Sequence, residues 1–209
     1  LLYALFLGAN LYWAQRQRHL GVQEAWGLPP LPPRFGVLVW VASAGLGFIA
    51  GLSTSGQWPV ILSYLNQTGF GLADPLFGRD VAFYVFSLPF FRLAYALLST
   101  LLVLTALGSG VIYFLTGGLV AAAGRVSVGR QARWHLSLLV AAYLALKGAG
   151  YWLDRYALLF SERGTVFGAG YADVHAVLPA LNVLTVVAVV VALMVVFTGR
   201  SPPVAALDR

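Results

Sequence analysis

The chain has 209 residues, 60% hydrophobic and only 10% charged, with a formal net charge of +6 and a mean hydropathy of +0.82. A soluble domain covers its surface with about a quarter charged residues, so a water-soluble globular class is excluded and lipid is the implied solvent. There is no cysteine for disulfides or thiolate metal sites, and His19, His135 and His175 have no metal-ligand spacing.

Spanning segments must be helices or a closed barrel, because the bilayer core offers no water to the backbone. The apolar runs here are continuous rather than alternating, which selects helices. The fold class is therefore all-α: a polytopic transmembrane helix bundle, read as a single domain over residues 1–209.

The predicted spans, in chain order, are Leu1–Trp13, Phe35–Leu52, Phe91–Leu115, His135–Leu153 and Ala176–Phe197. The first would make only about 20 Å of helix against a hydrocarbon core of about 30 Å. It is read as part of a span, and the chain as a fragment of a longer membrane region. After it, Gly27-Leu28-Pro29-Pro30-Leu31-Pro32-Pro33-Arg34 predicts a stiff polyproline II spacer.

The Ser53–Phe90 connection is more than a linker. Ser55 is placed to cap a short helix with Pro59 in its first turn. Trp58, Ile61, Leu62 and Leu65 then share one face of a helix lying in the membrane interface. Asp74-Pro75 is a second helix-start signal, and Phe83, Phe86 and Phe90 belong to an aromatic belt. Thr116–Trp134 is read as a connection between spans. Asp154–His175 carries Gly168-Ala169-Gly170 and then Asp173, predicted to cap the last helix with Pro179 tolerated near its start.

Charge orients the spans. One side holds Arg16, Arg18, Arg34, Arg125, Arg130, Arg133, Arg200 and Arg209, and the other holds Arg79, Arg92, Arg155 and Arg163. The Arg-rich side is expected to be cytoplasmic. Asp74, Asp80, Asp154, Glu162 and Asp173 then share the outer face. The expected arrangement is multi-pass.

The candidate polar cluster of that face is Asp74, Arg79, Asp80, Asp154, Arg155 and Asp173. Carboxylates at a membrane surface can hold a cation, relay protons or clamp a cationic group. They can equally cap short helices, with Arg79 paired to one of them. An arginine bridging carboxylates from both patches would bring the patches together. Lys147 is the candidate intramembrane charge. It stacks with Tyr151 and Asp154 on one helix face, and a carboxylate or backbone carbonyls are its expected partners. No catalytic triad, metal-ligand pair or nucleotide fingerprint is present, so no catalytic residue, metal or cofactor is assigned.

The run Asp74-Pro75-Leu76-Phe77-Gly78-Arg79-Asp80-Val81-Ala82-Phe83-Tyr84-Val85-Phe86-Ser87-Leu88-Pro89-Phe90 resembles the signature of uncharacterised protein family 0182, large bacterial membrane proteins. Leu153-Asp154-Arg155-Tyr156, Gly168-Ala169-Gly170-Tyr171-Ala172-Asp173-Val174 and Leu178-Pro179 follow in the family's order. The resemblance implies a multi-span membrane region of about seven spans followed by a large extracytoplasmic region. It implies no activity.

The leading expectation, with the resemblance, is a non-enzymatic structural, anchoring or complex-associated subunit of the bacterial inner membrane, multi-pass. Its partners would be the lipid bilayer and other membrane subunits, bound through the outer face or the lipid-facing helices, with no nucleic acid. The alternatives are a transporter or channel using Lys147 and the outer carboxylates, and a membrane enzyme acting on a lipid-linked substrate with Asp74 or Asp80 as base.

Overall fold

Long apolar runs become helices here because a helix satisfies its own amides and carbonyls internally. The structure, a computed structural model, describes residues 1–16, 32, 34–122, 125–161 and 168–200, with the side chains of 120–122, 125 and 126 outside the description. The proline-rich stretch 27–31, Glu162, Arg163 and the tail 201–209 lie outside the described residues.

The helices are α1 (Leu2–Gln15), α2 (Phe35–Thr54), α3 (Trp58–Leu65), α4 (Leu88–Leu115), α5 (Arg130–Ala157) and α6 (Leu178–Arg200). A two-stranded antiparallel hairpin, β1 (Leu119–Ala122) with β2 (Arg125–Val128), separates α4 from α5. Among the described residues the fold is all-α apart from that hairpin. Among the described residues, the helical stretches Phe35–Leu65, Phe83–Leu115, Arg130–Phe160 and Asp173–Arg200 are long and apolar enough to cross a membrane. Large apolar side chains such as Val183, Val186, Met194 and Phe197 on α6 are exposed.

Residues cluster into two compact units: Leu1–Ser53 with Thr100–Ala142 and Leu193–Arg209, and Thr54–Ser99 with Tyr143–Ala192. In the first unit, Leu7, Leu11 and Ala14 recur on one face of α1 and form a core with Val39, Ile112, Tyr113 and Ala132. The cross-strand pair Leu119 and Val128 packs on that core. A hydrogen bond from the Gly129 amide to the Gly118 carbonyl, 2.9 Å long, closes the base of the hairpin. The connection expected there is thus a folded one: the segment is too short to show a period, and its pairing is stabilised by the core beneath it.

The second unit is built on aromatic rings. Tyr84, Leu88, Leu153 and Tyr156 form its buried core, with Phe77, Phe83, Tyr95 and Trp152 packed against it. Two helices here open with a widened, π-helical turn, Phe83–Ser87 and Asp173–Val177, and each is followed by Leu-Pro. The Leu88 amide donates to the Phe83 carbonyl, and the Leu178 amide to that of Asp173. Pro89 and Pro179 supply no N–H, and their rings crowd the carbonyl four residues back. A wide turn just before the proline relieves that crowding.

Helix starts differ from the predicted ones in physical detail. Ser55 lies in a 3₁₀ turn, Ser55–Gln57, and Gln57 precedes α3 without a side-chain cap. Pro59 does occupy the first turn, and Trp58, Ile61, Leu62 and Leu65 are all exposed. Asp173 is not the residue ahead of its helix. It sits three residues in, and its carboxylate accepts the Gly170 amide at 3.1 Å, one half of a capping box.

Close packing at Gly150 sets a further constraint. A Cβ there would sit 2.7 Å from the Tyr95 ring. Gly150→Ala should therefore displace Tyr95 and destabilise the protein by about 1–3 kcal/mol, read as a lower thermal midpoint in detergent. An unchanged midpoint would show that the ring yields freely.

Candidate functional site

The charged cluster of the second unit begins with a knot around Asp74. Pro75 follows it without an N–H, so the turn presents its later amides to the carboxylate. Oδ1 accepts the Leu76 and Phe77 amides at 2.9 and 2.6 Å. Oδ2 accepts the Arg79 amide at 2.9 Å and the Tyr84 hydroxyl at 2.7 Å. The Asp74 amide donates to the Arg79 carbonyl at 2.8 Å. Gly78 closes the turn at φ +65°, a conformation that favours glycine.

Burial raises the Asp74 carboxyl pKa, but the Tyr84 hydroxyl and the Phe77, Arg79 and Leu76 amides outweigh it. The net result lies below the ordinary carboxylate value. Asp80 has a similar role one step on. Its Oδ1 accepts the Ala82 and Phe70 amides at 2.8 and 3.1 Å, and its Oδ2 the Gly71 amide at 2.9 Å. These bonds also hold its pKa down. Asp80 thereby caps the helix that begins at Val81 and ties it to the preceding loop.

Tyr156, buried in the core of this unit, connects the two predicted patches. It packs on Phe77, Phe83 and Tyr84 from the Asp74 segment. The Arg79 guanidinium lies 4.9 Å from the Phe83 ring centre and 5.6 Å from that of Tyr156. Arg155 lies 5.4 Å from Trp152 and 5.6 Å from the same Tyr156 ring, and donates to Asn182 Oδ1 at 2.8 Å. Arg79 and Arg155 thus converge on one aromatic ring. Asp154 is paired instead with Arg92, at 3.1 Å and well exposed. A cavity of about 530 Å³ opens beside Asp154, walled by Phe160, Ser161 and Leu181.

Lys147 reaches aromatic rings. Its Nζ lies 5.4 Å from the Tyr151 ring centre and 6.0 Å from that of Tyr95. A carboxylate or backbone carbonyls are its expected partners; the contacts found among the described residues are to these tyrosines. Among the described residues, no group of three or more His, Cys, Asp or Glu side chains could hold a metal ion.

Sequence reasoning passed over a second polar array, in the first unit. Asn10 Nδ2 donates to the Phe6 carbonyl at 2.7 Å, which turns its Oδ1 toward His135 Nε2, 3.0 Å away. The proton assigned to Nε2 leaves Nδ1 as acceptor for the Tyr113 hydroxyl at 2.9 Å. Tyr113 is fully buried. The available signal was the placement of polar Asn10 and His135 within apolar segments. Tyr84, Tyr156, Asn182 and Arg92 were likewise unassigned, each being one aromatic or polar residue among many.

These features define an all-α protein whose described residues include four helices long and apolar enough to cross a membrane, an aromatic–charged knot and an interior polar chain. It belongs to the Uncharacterised protein family (UPF0182), matched over residues 1–205. It is 36% identical over 174 residues to the UPF0182 protein of Desulforamulus reducens, covering 83% of this chain and 19% of that protein. The Thermobifida fusca UPF0182 protein is 37% identical over 201 residues, with coverages of 93% and 20%. That of Moorella thermoacetica is 36% identical over 205 residues, with coverages of 93% and 23%. The chain spans about a fifth of the length of these relatives. No solved structure matches it.

Proposed function

We propose that this chain is a multi-pass region of the bacterial inner membrane that anchors and orients other parts of a larger protein or complex. The carrying observation is the occupancy of Asp74, whose two oxygens take four hydrogen bonds. A carboxylate used in that way is a structural brace, with a depressed pKa that opposes work as a general base near neutrality. Apolar helix surfaces such as that of α6 support lipid as the surroundings. The test is purification of the full-length protein in mild detergent. A stoichiometric co-purifying membrane or envelope component is expected, and a protein that runs alone and catalyses solute flux in liposomes would overturn the proposal.

Transport is the second reading, favoured by one observation: an ammonium group within an apolar helix, near tyrosine rings. Lys147→Met separates the two. Under the anchoring role it removes cation–π contacts of about 0.5–2 kcal/mol, lowers the thermal midpoint and alters no flux. A folded Lys147→Met protein that has lost a flux shown by the wild type would establish the transport reading.

A further inference from the structure

The first unit contains a cavity of about 660 Å³, within the size range of small-ligand sites. Two arginines from different helices line it: Arg130, the first residue of α5, and Arg200, the last of α6. The rest of its wall includes Gly118, Gly129, Tyr113 and Trp134, and among the described residues no carboxylate lines it.

Each part of this wall has a physical cause. Gly199 lets the end of α6 approach α5 closely: a Cβ there would lie 2.6 Å from Ser137 Cβ and Oγ. Arg200 then lies with its guanidinium 5.2 Å from the Trp134 ring centre, which restricts its motion. Tyr113 is held in the wall by its bond to His135. The hydrogen bond at the hairpin base ties two of the wall residues, Gly118 and Gly129, to each other. Two like charges in one recess repel each other until an anion joins them, and guanidinium forks match phosphate oxygens. Leading away from Arg200, α6 exposes apolar Phe197, Met194 and Leu193, a surface suited to an acyl chain.

We propose that this cavity binds a phosphate diester or monoester, and that the phosphate comes from the headgroup of an anionic phospholipid. The binding chemistry stands apart from the anchoring role; only the lipid source rests on the membrane reading.

The experiment uses the full-length protein, delipidated in detergent and titrated with dihexanoyl-phosphatidylglycerol, with inorganic phosphate and with dihexanoyl-phosphatidylcholine, reading the thermal midpoint. Saturable stabilisation by phosphatidylglycerol, weaker by at least tenfold in concentration for Arg130→Gln/Arg200→Gln, is expected. Arg34→Gln, on another exposed arginine that does not line the cavity, should titrate like wild type. Equal stabilisation by inorganic phosphate, lost in the same double variant, would keep the site and overturn its lipid source. Phosphatidylcholine acting as strongly as phosphatidylglycerol would overturn the requirement for net negative charge. Absence of saturable binding by either anion, a double variant that titrates like wild type, or an Arg34→Gln variant weakened as much as the double variant would overturn the site. If the double variant is unfolded, Arg130→Gln and Arg200→Gln are titrated singly, each expected to weaken binding severalfold, and wild-type binding by both would overturn the site.

Discussion

Asp74→Ala is expected to lower stability by about 3 kcal/mol. The substitution leaves the amides of Leu76, Phe77 and Arg79 and the hydroxyl of Tyr84 without their common acceptor. Tyr84 lies in the core of its unit, so its orphaned hydroxyl is costly. Asp74→Asn keeps one carbonyl oxygen and should lose about half as much. The pH dependence follows from the sign of the shift. The folded Asp74 pKa lies below the ordinary value of 3.8, so its stabilisation is complete well above 3.8 and is lost as pH falls through the lower folded value. Thermal midpoints measured from neutral to acid pH should therefore fall for wild type towards those of Asp74→Asn, because a protonated carboxyl, like the amide, keeps one carbonyl acceptor. Parallel curves would refute the brace.

His135→Leu should cost about 3 kcal/mol, for a related reason. It strips partners from the Tyr113 hydroxyl and Asn10 Oδ1 at once, and Tyr113 has no access to solvent. Adding Tyr113→Phe to His135→Leu removes one orphaned group and should recover about 1 kcal/mol. The double-mutant cycle is the measurement. Strict additivity would mean that the two rings are not coupled, and the directional chain from Tyr113 through His135 to Asn10 would be wrong.

The charge arrangement had its local half written in adjacent residues. Asp74-Pro75, Gly78 and Asp80 lie close together, and their hydrogen bonds reach amides at most ten residues away. A short polar side chain finds nearby amides without help from the rest of the fold. The helix-start signal at Asp74-Pro75 became a turn, because Gly78 closes the backbone on itself before a helix can propagate. Lys147 was legible as an anomaly, since a charge in an apolar run stands out. Its tyrosine surroundings were only half legible: Tyr151 lies one helical turn away, while Tyr95 comes from α4.

Composition and continuous apolar runs by themselves determined an all-α protein and where its long helices lie, because hydrophobic length and backbone self-satisfaction are local properties. Residues 74–90 also carried the family resemblance that the match over residues 1–205 bears out. Only the tertiary structure decided that Tyr156 receives both Arg79 and Arg155, that Asp154 pairs with Arg92 across 62 residues, and that His135 meets Asn10 across 125. Such partners are chosen by which helix faces pack together, and a polar or aromatic side chain carries no local mark of the distant residue that will satisfy it.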